Sequence, residues 1–374
     1  MKKNVLGFNI FILLVFFIFS SCSDNSSEEF KDDLAFGSME QDSVVNNPDN
    51  GMEQDSVANN LDTPENLPVI LDLRLPADVD STYVLTFEDD FNQLPGTLPN
   101  ADKWQSKLPW GPSVTINNER QYYTDVLNGD NNAPNPFDFD GNSNLIITAG
   151  LNSPAQVETT GLDYYSGVLT GAQSTPYKDG YIEAKIWYEP GVAGFWGAFW
   201  LLHRYYDSPQ DTGANGKRRT EIDWEFVRGP GGEFLGGPYD TDRIPVAYHY
   251  DDGQWSISGG GFKGPNGSPG LSVQCDGTEI NNNKGIGPIK QTSGEDLAGA
   301  WHRYGVWKTD NFVKWYLDGI LVASVCDPTI VSQIEMYPIV NIAIGGNFPG
   351  PPNPEDYPTS MLVDYISLWE PTVK

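Results

Sequence analysis

The sequence predicts an all-β sandwich, and three observations predict it. Apolar runs of strand length recur through most of the chain, and after the first residues none shows sustained helical spacing. Gly and Pro, 39 and 28 of the 374 residues, gather with Asn and Asp between these runs, where turns need them. Several runs alternate apolar and polar residues with period two, as a strand does when one face is packed. Two antiparallel sheets stacked face to face bury such strands.

In chain order, the first element is a processing segment. Met1-Lys2-Lys3-Asn4 precedes an apolar run from Val5 to Phe19 and then Ser20-Ser21-Cys22. The run is too short for a membrane span, and its basic start and small-residue end form a secretory signal pattern. Small residues before a Cys resemble the cleavage box of bacterial lipoproteins. Residues 1–22 are therefore expected to be a lipoprotein signal peptide, with Cys22 lipidated and anchoring the protein in a membrane. The acidic stretch Ser23 to Glu29 resembles the export signal of surface lipoproteins, which implies the outer membrane with exposure at the cell surface. From 23 to 70 the chain is acidic, with the single Lys31 and few aromatics, and no core can form there. It contains the tandem copy Met39 to Val44 and Met52 to Val57, read here as a duplicated spacer unit.

Residues 71–374 are expected to form one domain. Strands are expected at Tyr83 to Phe87, Leu145 to Thr148, Gly180 to Tyr188, Phe195 to Leu202, Ile222 to Val227, Trp301 to Trp307, Val313 to Leu317, Ile339 to Ile344 and Met361 to Leu368. The Asp318-Gly319 pair between Leu317 and Ile320 marks a tight hairpin. A net charge of −29 repels nucleic acid and favours a neutral polymer as partner. Beyond Cys22, only Cys275 and Cys326 remain, and an exported compartment permits them to pair. Their separation in sequence leaves the disulfide open.

The chemistry concentrates in Thr220-Glu221-Ile222-Asp223-Trp224-Glu225-Phe226. On a strand, alternation sends Glu221, Asp223 and Glu225 to one face and Ile222, Trp224 and Phe226 to the other. Three like charges in a row suit a site where one carboxyl stays protonated beside an ionised one. A retaining glycosidase needs such a pair about 5–5.5 Å apart. The Cα atoms of Glu221 and Glu225 lie about 13 Å apart on a strand, and inward-leaning side chains narrow that gap. Eleven Trp residues add flat faces for stacking on sugar rings, and Trp187, Trp196, Trp200 and Trp255 fall near the acidic strand in sequence. Trp196 and Trp200 share one side of their strand and are assigned to a groove, whereas Trp224 is assigned to the core.

With these residues in place, the chain resembles glycoside hydrolase family 16, whose signature is Glu-x-Asp-x-Glu or a form bulged by one residue. The resemblance extends through Phe87 to Asn92, Asn117 to Tyr123, Phe195 to Leu202, Trp301 to Tyr304, Tyr316 to Gly319, Asn341 to Gly350 and Met361 to Tyr365. It implies a jelly-roll sandwich of two antiparallel sheets, concanavalin A-like, with 71–374 as the catalytic domain. It also implies Glu221 as nucleophile, Asp223 as assisting carboxylate and Glu225 as general acid/base. Asn118 and Glu119 are implied to line the groove. His249 is a candidate for a sugar hydroxyl, while His302 is read as making a local structural bond. The family often holds a structural Ca²⁺, and Asp90, the Gly141 carbonyl and Asp364 match its positions. No cofactor is implied for catalysis.

The unbulged spacing is similar to that of lichenases and xyloglucan-active members, whereas the C-terminal half is similar to laminarinase-like ones. Tyr181 and Phe348 also depart from the laminarinase-like pattern. The expectation is a monomeric endo-β-glucanase acting on a β-1,3 or mixed β-1,3/1,4 polysaccharide. A hydrolase of a marine galactan or a transglycosylase, and a surface glycan-binding lipoprotein without turnover, are the alternatives. The basic run Lys217-Arg218-Arg219 would suit an anionic sugar if it is more than a solvated loop.

Overall fold

The structure is a computed structural model. It describes residues 74–79, 81–112, 117–204, 218–227, 243–244, 246–251, 297–326 and 333–372, together with Ser272–Val273, Cys275, Glu279–Ile280, Ile289–Lys290, Pro328 and Val331. The signal segment, Cys22, the acidic linker with its repeat, Lys217, Trp255 and most of the stretch from Gly253 to Gly285 lie outside the described residues.

Two antiparallel sheets make the sandwich. The principal strands are β1 (Tyr83–Asp89), β2 (Gln121–Tyr123), β3 (Phe137–Phe139), β4 (Leu145–Leu151), β5 (Tyr164–Ser166), β6 (Val168–Thr170), β7 (Gly180–Tyr188) and β8 (Phe195–His203). They continue with β9 (Arg218–Val227), β10 (Val246–Asp251), β11 (His302–Lys308), β12 (Val313–Leu317), β13 (Ile320–Val325), β14 (Met336–Ile344) and β15 (Thr359–Pro371). A ten-stranded sheet runs β13-β12-β11-β7-β15-β4-β5-β2, with β1 on β15 and β3 on β4. Among the described residues its one parallel pairing is β2 with β5. The second sheet runs β10-β9-β8-β14-β6. All nine expected strands are present, several a few residues longer than the apolar run that marked them.

Alternation divides each sheet into an inner and an outer face. Inner residues of both sheets, among them Ile182, Ile186, Phe199, Ile222, Trp224 and Tyr304, share one buried core. Each outer face then carries its own smaller cluster. On the five-stranded sheet, Leu202, Tyr337 and Ile339 pack under Leu108 and Tyr123, with Trp110 and Trp200 at the margin. On the ten-stranded sheet, Tyr181, Tyr316 and Trp369 pack under Val79, with Leu75 beside them.

The segment Arg74–Val79 straps that second face. The Arg74 guanidinium donates to Glu88 and to Ser367 Oγ and lies 4.9 Å from the Trp369 ring. Asp78 accepts from the Tyr316 hydroxyl at 2.7 Å and from Lys314 at 3.2 Å. Beneath the strap, Glu183 is wholly buried and accepts from Tyr181 and Tyr365 hydroxyls, each at 2.6 Å. Arg303 stands 3.7 Å from the same carboxylate. Trp187, near the acidic strand in sequence, belongs to this sheet and points to its outer face, away from the face that carries the acids. Tyr181 is likewise in the strapped cluster, and its departure from the family pattern concerns packing there.

The Asp318-Gly319 hairpin forms as expected, with φ of 52° and 80° at the two turn residues. Both angles are positive, as a type I′ turn requires. Asp318 accepts from the Arg303 backbone N–H and is bonded to His302 Nδ1, each at 2.8 Å. Burial raises the Asp318 carboxyl, but these bonds outweigh it and hold the carboxyl below its ordinary range. His302 thus has the local role expected of it. Cys275 and Cys326 are joined, with Cα atoms 5.0 Å apart, inside the range a disulfide spans. One α-helix appears among the described residues, Pro154–Thr160, started by a Ser153/Gln156 capping box and stopped by Gly161 at φ 75°.

Candidate active site

The acidic strand is β9, flanked by β8 and β10. Register sets its outer face in rows across the sheet. His249, Glu221, Leu202 and Tyr337 form one row; Ala247, Asp223, Trp200 and Ile339 the next; Glu225, Ala198 and Asn341 the third; Val227, Trp196 and Ala343 the fourth. The three carboxylates therefore share one face with Trp196 and Trp200, as the alternation predicted. Trp224, on the opposite side, is fully buried in the core.

The strand is pinned from behind. The Trp315 indole N–H reaches across the sandwich to the Asp223 carbonyl at 3.1 Å, and Trp224 returns a bond to the Gly305 carbonyl at 3.2 Å. Two reciprocal indole bonds between the sheets fix the backbone that aims the carboxylates. Glu221 and Glu225 are partly exposed, while Asp223 between them is 3% exposed. Burial pushes the Asp223 carboxyl well above the ordinary range, because an ionised carboxylate loses its hydration there. A proton held at the middle position relieves repulsion along the row and leaves the outer two free to differ.

A second segment reaches this face from the other sheet. Asn118 takes a left-handed φ of 60° and donates to Asn347 Oδ1 at 2.6 Å, while the Asn347 N–H returns a bond to the Asn117 carbonyl. Gly346, at φ 99°, allows that approach: a Cβ there would stand 2.7 Å from the Asn117 carbonyl oxygen. Next along, Phe348 lies 5.4 Å from the Trp196 ring. Glu119 is half-buried and raised by burial, partly offset by bonds from Gln121 and Asn117. Asn118, Glu119, Trp196 and Trp200 are thus gathered around one outer face. His249 pairs by backbone with Glu221, and its side chain lies outside the described residues, as do those of Arg218 and Arg219.

Sequence reasoning missed Trp110, Tyr123 and Asn341. Trp110 lies 6.4 Å from the Trp200 ring, and Asn341 joins Trp200 to Tyr123 by hydrogen bonds of 2.7 and 2.8 Å. A lone amide inside the apolar run Ile339 to Ile344 was the available signal for Asn341.

The residues matched to a calcium site behave differently. Asp364 is ion-paired with Lys185, Asp90 accepts from Asn92, and Gly141 sits in a turn at φ 78°. Among the described residues no group of three or more His, Cys, Asp and Glu converges. With an ammonium already on Asp364, these residues do not fit a calcium cage as they stand.

No family model matches the chain. It is 28% identical to endo-1,3-1,4-beta-glycanase ExsH of Rhizobium meliloti over 289 residues, which are 76% of this chain and 51% of that protein. It is 27% identical to glucan endo-1,3-beta-glucosidase A1 of Niallia circulans over 316 residues, 76% of this chain and 38% of the relative. The chain thus spans about half or less of the length of these curated relatives. Among solved structures, SCLam, a non-specific endo-beta-1,3(4)-glucanase from family GH16, superposes with a TM-score of 0.55 at 22% identity, covering 79% of this chain and 94% of that one. The laminarinase from Flavobacterium sp. UMI-01 gives 0.52 at 21% identity, covering 77% and 100%. The fold of the described domain is therefore the β-jelly roll of the solved glucanases and laminarinases, SCLam of glycoside hydrolase family 16 among them.

Proposed function

We propose that this domain is a retaining endo-β-glucanase that cleaves β-1,3 or mixed β-1,3/1,4 glucan by double displacement. The observation that carries the reading is the row Glu221, Asp223, Glu225 on one open sheet face with Trp196 and Trp200 beside it. Relatives named as endo-1,3-1,4-β-glycanases support the substrate class. So does the SCLam mutant structure with 1,3-beta-D-cellobiosyl-glucose at its active site.

In this reading Glu225 protonates the leaving oxygen while Glu221 attacks the anomeric carbon, forming a covalent glycosyl-enzyme. Glu225, now a base, takes a proton from water, which attacks the same carbon and releases Glu221. Asp223, whose carboxyl burial raises, lies between them and opposes a second charge beside Glu221. Indole faces of Trp196 and Trp200 hold the sugar rings along the groove. We further read the protein as a lipoprotein anchored through Cys22 at the outer face of the outer membrane, acting as a monomer on polysaccharide.

The test is a product assay of residues 67–374 on mixed-linkage glucan, laminarin, xyloglucan, agarose and carrageenan in parallel. Oligosaccharides released from the first two substrates are expected. Release from agarose or carrageenan alone would move the assignment to a galactan hydrolase. Binding to glucan with no product from any polymer would make it a glycan-binding protein.

A further inference from the structure

We propose that Asn341 is a positioning residue for the glucanase reaction: it fixes the plane of the Trp200 indole beside the carboxylate row. The role rests on the function proposed above. Asn341 stands on the outer face of β14 in the row of Glu225, separated from it only by Ala198. Strand spacing sets the backbones of Glu225 and Asn341 about 9–10 Å apart, and the small Ala198 side chain between them leaves space above the sheet. Trp200, in register with Asp223, leans over this gap and donates its indole N–H to Asn341 Oδ1 at 2.7 Å.

The amide has one workable orientation. An indole N–H can only donate, so it must meet Oδ1, and Nδ2 must then face Tyr123. Tyr123 accepts there at 2.8 Å. The phenol is buried, and burial followed by the negative charge of Glu119 raises it well above its ordinary range. It therefore stays a neutral hydroxyl at any pH of use. Tyr123 belongs to the strand that carries Gln121, whose amide donates to Glu119 at 2.7 Å and accepts the Ile344 N–H at 2.7 Å. Asn341 thus ties the Trp200 ring to the segment from Glu119 to Tyr123, and the ring cannot rotate without breaking the bond. Asn341 is 5% exposed, so water does not replace what a substitution removes.

A role confined to satisfying the buried phenol would make Asn341→Leu and Tyr123→Phe behave alike. A role in holding Trp200 separates them. In protein labelled with ¹⁵N-tryptophan, the Trp200 indole cross-peak is identified by its loss in Trp200→Phe. Asn341→Leu is expected to shift that peak and to lower kcat on mixed-linkage glucan about tenfold, with KM within about twofold, because a misaligned platform costs orientation more than binding. Tyr123→Phe is expected to leave the peak in place and kcat within about threefold. Should the Leu variant not fold, Asn341→Ser carries the same two readouts. An unmoved cross-peak, an unchanged kcat, or equal losses in the two variants overturns the proposal. If the wild type cleaves no polymer, the glucanase reading fails and takes the kinetic role with it; the cross-peak then decides separately whether Asn341 holds the ring.

Discussion

The two outer faces of the sandwich each bury a carboxyl, and they use it in opposite ways. On the ten-stranded sheet Glu183 lies under the Arg74–Val79 strap, and burial raises its pKa despite bonds from Tyr181 and Tyr365 and the charge of Arg303. On the five-stranded sheet Asp223 is raised by burial, between two partly exposed Glu residues and beside Trp200. A perturbed carboxyl alone does not mark a catalytic centre. The two faces are distinguished by what the carboxyl shares its face with: a strap and a closed network for Glu183, a row of further acids and half-buried indoles for Asp223.

Substitutions can break that contrast. The largest effect is expected from Glu221→Gln, which removes the proposed nucleophile and keeps its shape. Activity on glucan should fall at least about ten-thousandfold with the unfolding midpoint unchanged; retained turnover would remove Glu221 from the mechanism. Asp223→Asn should slow turnover about a hundredfold and move one limb of the pH profile. It should also alter stability. The folded state holds this proton above the pH where the unfolded chain releases it, so the wild type loses stability as pH rises from about 3.8 through the raised folded value. The Asn variant lacks that decline, and identical denaturation curves against pH in the two proteins would contradict the buried acid.

Glu183→Ala should do the reverse of Asp223→Asn. Two hydroxyls and Arg303 lose their acceptor, costing about 3 kcal/mol in urea denaturation, while kcat stays within about twofold. A kinetic loss matching that of Asp223→Asn would erase the distinction between the faces. The smallest effect concerns His203, buried at the inner end of β8, whose imidazole is lowered to about 4 by burial. Between that value and about 6.5 the unfolded chain binds the proton and the folded one does not, so stability falls as pH drops through that window. His203→Gln should flatten this window; an unchanged slope would assign acid lability elsewhere.

Much of this was legible in the sequence for a simple reason. Strands covered on both faces, such as Met336–Ile344, read as nearly continuous apolar runs, broken there only by Asn341, and the acidic strand reads as strict alternation. Strands of three residues, such as Gln121–Tyr123 and Val168–Thr170, carry too few positions for any period to be seen. The face of a side chain was recoverable only where one strand gave its own reference. Trp196 and Trp200 are ordered by their spacing, but nothing local says which sheet Trp187 belongs to. Nothing local marks Glu183 as buried, because its cover, Arg74 to Val79, lies about a hundred positions upstream. The Asn341 bridge joins residues 141 and 218 positions away, and such partners are invisible to a local pattern. The Ser153 cap and Gln156 were in plain view, yet a helix of seven residues with no buried side chain has no apolar stripe to announce it.

The strap also joins strands that are far apart in the sheet. Arg74 is clamped to Glu88, Ser367 and Trp369 on the side of the sandwich opposite Glu221 and Glu225. With Asp78 on Tyr316 and Lys314, these six residues act as a clasp that ties β1, β15 and β12 together across the sheet, and trimming them would undo all of those contacts at once.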